Sequence, residues 1–236
     1  QIAAHEEIIS VDKLYEICNI CREILVGEYA VGRVIARPFI GSSNGYTRTH
    51  NRKDFSLKPT SNTFLDIISG RNMNVTAIGK IEDIFAGEGI TDAVHTKNNL
   101  EGIEKTIEYM QKSSRGLIFT NLVDFDMLYG HRNDVHGYAN ALIEFDNALT
   151  KMIDEMNESD IIIITADHGC DPTTDSTDHS REYIPIIAYG HNLKSNINIG
   201  TRNTFADIGA TILDFLGIPI EICGTSFKSL IYKGDK

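Results

Sequence analysis

Apolar residues recur at helical spacing over residues 11–25 (VDKLYEICNICREIL), which places Val11, Leu14, Cys18, Cys21 and Leu25 on one face. Ser10 is the expected N-cap and Gly27 the stop. Residues 31–37 (VGRVIAR) alternate instead, as in a half-buried strand that presents Arg33 and Arg37 to the same side. Residues 41–54 are polar, basic and glycine-containing and read as a loop. The opening stretch, residues 1–59, thus has α+β character, and Pro59 marks a boundary.

From Thr60 the pattern changes to alternating helix and strand. A helix over 61–69, stopped by Gly70, precedes a strand at 73–79, and Lys80 falls just past that strand's end. A second helix covers 98–112. Residues 116–123 (GLIFTNLV) and 161–166 (IIIITA) are nearly unbroken apolar runs, as expected of parallel-sheet strands covered on both faces. Between them, residues 135–157 carry Ala139, Leu142, Ile143, Leu149 and Ile153 at helical spacing. Residues 183–189 read as a strand, with Pro185 pushing it toward an edge or a strand start. A last helix over 202–216 ends at Gly217, with Pro219 beyond it. The sequence has no repeat and no low-complexity segment. It predicts an α/β chain with a parallel sheet.

Both unbroken strands run into acidic groups. Asp126 and His131 lie in VDFDMLYGHR (123–132), Asp167 and His168 in IIIITADHGC (161–170), and His179 in DSTDHS (175–180). Ligands of open α/β sheets collect beyond the carboxyl ends of the strands, so Asp126 and Asp167 are expected side by side at one rim, with Lys80 there too. A lone Asp–His pair more often serves turn chemistry. Three groups, two of them at strand ends, point to a metal site. Asp offers a hard oxygen and His a borderline nitrogen, a mix that suits Mn, Zn or Mg with a phosphate substrate. Five such groups can hold two divalent ions, the arrangement that serves phosphoryl transfer.

Composition narrows the classes. The net charge of −11 gives a nucleic-acid role no electrostatic support. No apolar run reaches the roughly 18 residues of a membrane span, and the start shows no signal-peptide pattern. The cysteines are Cys18, Cys21, Cys170 and Cys223. Cys18 and Cys21 form a CxxC, yet they fall at i, i+3 on a helix, and no second pair completes a zinc site. Buried structural thiols are expected rather than a metal or redox pair, and the pattern suits a reducing cytoplasm. The chain opens on Gln1, and QIAAHEEI reads like the interior of a protein, so a fragment or a processed product is expected.

Taken together, VDFDMLYGHR, TADHGCDPTTDSTDHS and the upstream GRVIARPF resemble the phosphopentomutase family of the alkaline-phosphatase-like metalloenzyme superfamily. The resemblance covers essentially the whole chain. ADHG alone is shared with cofactor-independent phosphoglycerate mutases; the spacing of the Asp and His groups, and RVIARPFIG followed by GYTRTHNRKDF, are more specific. The resemblance implies an alkaline-phosphatase-like parallel-sheet core with helices on both faces (residues 60–236) and the C-terminal part of an α+β cap (residues 1–59). It implies two Mn ions (Zn or Mg being alternatives), one on Asp126, His131 and His179, the other on Asp167 and His168. It also implies that Arg33, Arg48 and Lys80 contact the substrate phosphate, although either arginine by itself also fits a solvated surface charge.

The implied reaction interconverts ribose 1-phosphate and ribose 5-phosphate, and the 2-deoxy pair, through a phosphothreonine and a sugar bisphosphate activator in the cytoplasm. The family's nucleophilic Thr and one further metal-ligating Asp have no counterpart in this sequence; Thr165 belongs to the metal motif. The chain is therefore expected to be the C-terminal portion of a longer enzyme, without its N-terminal part and the early strands of its sheet. The competing readings are a phosphoglycerate mutase or phosphatase of the same superfamily, and a non-catalytic module that binds metal or sugar phosphate.

Overall fold

The computed structural model describes residues 1–112 and 114–234. In chain order the elements are β1 (Ile2–His5), α1 (Val11–Ile24), β2 (Arg33–Ser42), β3 (Gly45–Arg48), β4 (Lys53–Ser56), α2 (Phe64–Ser69), β5 (Asn74–Ile78), α3 (Ile81–Phe85), β6 (Asp92–Val94), α4 (Asn99–Met110), β7 (Gly116–Thr120), α5 (Val135–Asp154), β8 (Ile162–Thr165), β9 (Ile186–Tyr189), α6 (Ala206–Phe215) and α7 (Lys228–Ile231). The chain divides into two compact units. The first is Gln1–Asn62 with Ile81–Glu88; the second is Thr63–Lys80 with Gly89 onward.

In the first unit β2 is central. It pairs parallel with β1 (Ile2↔Ala36) and antiparallel with β3 (Phe39↔Arg48) and β4 (Ile35↔Asp54). α1 covers one face, where Ala4, Leu14, Cys18, Val34 and Ala36 form the core. Ser10 caps α1 as expected, its Oγ accepting from the Lys13 amide at 3.4 Å. Cys18 is fully buried, and burial pushes its thiol up, as for a packing residue. Residues 41–54, expected as a loop, instead hold β3 and the start of β4. β3 is exposed along its whole length, so hydrogen bonding to β2, rather than apolar burial, makes it a strand. Only glycine suits position 41, where φ is 123° and a Cβ would press on the Gly45 carbonyl.

The second unit carries a parallel sheet in the order β6-β5-β7. Val75, Ala77 and Ile78 of β5 are buried, the signature of a strand covered on both sides. Helices supply the cover. Phe64 at the start of α2 meets Phe119 of β7 (centroids 6.2 Å apart), while Thr106 of α4 hydrogen-bonds Thr120, the next residue, at 2.7 Å. Successive strand residues face opposite ways, so α2 and α4 lie on opposite faces. α5 packs beside α4 through Ile103, Ile107 and Met152, and Ile162 of β8 rests on the same cluster.

One strand departs from the expected arrangement. β8 was expected in the parallel sheet; it pairs antiparallel with β9 (Ile163↔Ala188) in a separate two-stranded sheet. A parallel return needs a crossover, usually a helix. Residues 166–185 contain none and return β9 directly alongside β8. Pro185 stands immediately before β9, as its missing amide requires. α6 ends where expected: Gly217 has φ 71°, and the Ile218 amide reaches back to the Leu213 carbonyl at 2.9 Å. No helix among the described residues is long and apolar enough to cross a membrane.

α2 is only six residues long and depends on its capping box. Thr63 Oγ1 accepts from the Leu65 and Asp66 amides, and Asp66 Oδ2 accepts from the Thr63 amide at 2.7 Å. Thr63→Ala is expected to cost about 1 kcal/mol. Thermal unfolding followed by circular dichroism should show a midpoint lower by roughly 2–4 °C.

Candidate metal centre

Beyond β7 the chain enters a π-type turn, Phe125–Tyr129, and then a 3-10 turn, Gly130–Arg132. The entry is anchored by Asp124, which is buried against the start of α4. Asp124 Oδ2 accepts from the Asn99 amide at 2.7 Å, and the Asp124 amide donates to Asn99 Oδ1 at 2.9 Å. Asp124 is thus spent on structure, and the next acidic residue, Asp126, is the one left facing the rim.

Asp126, His131 and His179 bring one ligand atom each to within 4.8 Å of one another. Asp126 Oδ1 lies 3.0 Å from His179 Nε2 and 3.3 Å from His131 Nε2. Donors bonded at about 2.0–2.2 Å to one ion sit roughly 3.0–3.5 Å apart, so these two separations fit a shared divalent ion. The His168 ring stacks on His179 with centroids 3.7 Å apart, and the His131 ring lies 4.8 Å from His179 on nearly parallel planes. Three imidazoles therefore stand in a row beside one carboxylate. Asp167 lies next to them, with Oδ1 3.6 Å from His168 Nε2, but its side chain is 70% exposed and outside the tight group of three.

Backbone carbonyls aim the rings. His131 Nδ1 lies 2.6 Å from the Thr177 carbonyl and His168 Nδ1 lies 3.0 Å from that of Gly169. Both contacts require an Nδ1–H donor, which leaves the Nε2 lone pair free to bind an ion. The loop carrying His179 is closed by an antiparallel bridge between Gly169 and Ser180, by the Asp171 amide donating to Ser180 Oγ at 2.9 Å, and by Asn133 Nδ2 donating to the Thr174 carbonyl at 2.8 Å. Sequence patterns gave no sign of these contacts, because a carbonyl has no residue-type signature. Asn133 did carry a signal: it adopts a left-handed backbone, φ 52°, that Asn tolerates.

The remaining candidates divide by unit. Lys80 follows β5, and its Nζ lies 2.8 Å from Met127 Sδ in the turn that holds Asp126. Arg33 and Arg48 lie on the sheet of the first unit, in β2 and β3. Thr165 Oγ1 donates to the Pro185 carbonyl at 2.9 Å, a bond that ties β8 to the start of β9.

Cys170 was not foreseen beside the centre. Burial first, then Asp126 and neighbouring carboxylates, push its thiol up, so it packs as S–H. It lies against Gly130, where a Cβ would run into its sulfur. Gly130→Ala is expected to shift the His131 turn and weaken divalent-metal affinity by about 10–100-fold, as loss of a supporting contact does. Adding Cys170→Ala should restore most of it; calorimetric titration of the four proteins checks this as a double-mutant cycle.

The sequence profile of the metalloenzyme superfamily matches residues 50–220. The chain is 59% identical over 233 residues to a phosphopentomutase of Clostridium kluyveri, covering 99% of this chain and 60% of that protein. The figures are 58%, 99% and 60% for a phosphopentomutase of Clostridium acetobutylicum. The chain thus spans about 60% of the length of these curated relatives. Among solved structures, a Leishmania mexicana phosphoglycerate mutase aligns with TM-score 0.55 at 20% identity, over 71% of this chain and 39% of that one. A Pyrococcus horikoshii protein aligns with TM-score 0.54 at 13% identity, over 90% of this chain and 65% of that one. These two likenesses support the fold. With the profile spanning most of the sequence, the chain belongs to the metalloenzyme superfamily.

Proposed function

We propose that this chain is part of a phosphopentomutase, which interconverts ribose 1-phosphate and ribose 5-phosphate and the 2-deoxyribose pair. The observation that carries this reading is the identity of 57–59% over 98–99% of the chain to relatives bearing that name. Membership in the superfamily implies divalent-metal use. The donor set of Asp and His fits two Mn ions, with Zn or Mg as substitutes. Asp126, His131 and His179 hold one; Asp167 and His168 hold the other, together with an Asp from the rest of a longer enzyme. When bound, the metals supply Lewis-acid neutralisation of the phosphoryl charge.

The chain's own residues do the positioning. The Thr177 and Gly169 carbonyls keep Nε2 of His131 and His168 turned toward their ligand. Lys80, beside the Asp126 turn, meets the phosphate from the core. Residues 1–59 act as the C-terminal part of a cap, whose Arg33 and Arg48 hold the far phosphate while the sugar reorients. The nucleophilic Thr lies outside this chain, in the rest of the enzyme, which is primed by a sugar bisphosphate and works in the cytoplasm. Residue chemistry supports these assignments: guanidinium forks match phosphate oxygens, and an ammonium serves as a point charge.

Two measurements test the reading. Titration of the chain with Mn, followed by electron paramagnetic resonance, should show binding that Asp126→Ala weakens by at least about 100-fold, beyond the 10–100-fold typical of a supporting residue. The second is an Mn-dependent assay of the chain on ribose 1-phosphate with a bisphosphate activator, beside an assay on 3-phosphoglycerate. Binding of Mn without turnover agrees with a nucleophile outside the chain. Turnover of ribose 1-phosphate would place the nucleophile within these residues, and turnover of 3-phosphoglycerate instead would replace the pentose assignment.

A further inference from the structure

Two side chains of one short turn reach across to the loop that carries His179. The His131 ring meets the Thr177 carbonyl at 2.6 Å, and Asn133 Nδ2 donates to the Thr174 carbonyl at 2.8 Å. Both carbonyls belong to the segment just before His179. The first grip is made by a candidate ligand. The second comes from a side chain outside that group, so it holds the loop independently of how the His131 ring is used.

The loop is braced internally and passes the grip on. Asp171 Oδ1 accepts from the Thr173 amide at 2.8 Å and from the Thr173 hydroxyl at 2.6 Å. Thr174 Oγ1 donates to the Asp171 carbonyl at 3.0 Å, and the Asp178 amide donates to Ser176 Oγ at 3.1 Å. The turn is seated at its other end as well. The Asn133 amide donates to the Gly130 carbonyl at 3.1 Å and the Asp134 amide to the Tyr129 carbonyl at 3.0 Å. Asp134 then caps the 20-residue α5, its Oδ1 accepting from the Gly137 amide at 2.8 Å. Asn133 thus stands between a capped helix and the loop of His179.

Asn133 holds this place at a cost. Its φ of 52° is left-handed, and its Oδ1 is enclosed without a hydrogen-bond donor. An enclosed carbonyl oxygen without a donor is unfavourable. A turn by itself would be better served by glycine, which adopts that φ freely and has no oxygen to enclose. What asparagine adds is the Nδ2–H that meets Thr174. Costs of this kind persist where the surroundings over-determine them, commonly at functional sites.

We infer that Asn133 is a positioning residue of the metal centre: by latching the Thr174 carbonyl it sets where His179 stands before any ion arrives. The placed ring lies 4.8 Å from the His131 ring, centroid to centroid, with its Nε2 3.0 Å from Asp126 Oδ1. Without the latch, ordering of the loop is deferred to ion binding and subtracts from affinity. The inference rests on the metal-centre reading for the ion, not for the position of the ring.

The test takes two readouts on the 236-residue chain. In EDTA, the nuclear Overhauser contact between the His131 and His179 rings reports position with no metal present. Asn133→Gly, which keeps the left-handed turn and removes the amide, is expected to lose most of this contact. Mn titration followed by electron paramagnetic resonance should then show affinity lower by about fivefold, the scale of one neutral hydrogen bond. Thr63→Ala, which removes the cap of α2, is the comparison: its thermal midpoint falls while both readouts stay at wild-type values, which separates positioning from general stability. Wild-type ring contact in Asn133→Gly overturns the inference, and so does wild-type Mn affinity beside a lost contact. Should Asn133→Gly lower the midpoint by more than Thr63→Ala does, Asn133→Asp decides in EDTA. It keeps the size and tolerates the left-handed backbone, but sets an acceptor against the Thr174 carbonyl. Loss of the ring contact in that folded variant supports the inference, and an unchanged contact overturns it. A wild type that binds no Mn ends the metal-centre reading and leaves the ring contact to decide this one. Absence of the contact in the wild type ends this one and leaves the Mn titration to decide the other.

Discussion

The rim of the second unit depends on close approach of polar groups that have no apolar surface to hold them together. Asp126, His131, His168 and His179 come from three separate stretches of chain, and none of these side chains is buried. What fixes them is backbone. The bridge between Gly169 and Ser180 brings His179 back onto His168, and the Thr177 carbonyl takes hold of His131. Both depend on glycine at tight points: a Cβ on Gly169 would press on the Ser180 carbonyl, and one on Gly130 on the Cys170 sulfur. The centre is held by absence of side chain as much as by presence of ligands.

This explains which parts of the molecule were legible in the sequence. α1 and α4 announce themselves because burial of one face imposes a helical period on their residues, and Ser10 and Asn98 carry the side-chain oxygens that cap them. β3 stayed hidden because both its faces meet solvent and no period is imposed on GYTR. The direction of β8 stayed hidden because apolar runs carry no information about orientation; only the helix-free connection to β9 decides it. The return of α3 to the first unit is a matter of distant contact, which local pattern does not record.

The candidate metal-centre residues were read by type and by their position at strand ends, and the structure brings Asp126, His131 and His179 within reach of one another. Their supports were not, being carbonyls and a glycine. Arg37 lies between these cases. Its place on the same side of β2 as Arg33 follows from alternation, but the lack of an acceptor at its Nε is known only once β4 is paired with β2 and Asp54 is seen to accept from Arg33 and Arg52.

β7 and β8 both rest on the α4–α5 layer, yet belong to different sheets, and each is the outermost strand of its own sheet among the described residues. Their segments, GLIFT and IIIT, contain no charge and no proline, the usual guards of an exposed edge. Each therefore has one side without a strand neighbour among the described residues, on an apolar segment. Between copies of this polypeptide, edge-to-edge pairing is opposed by mutual repulsion from a net charge of −11, a restraint that salt weakens.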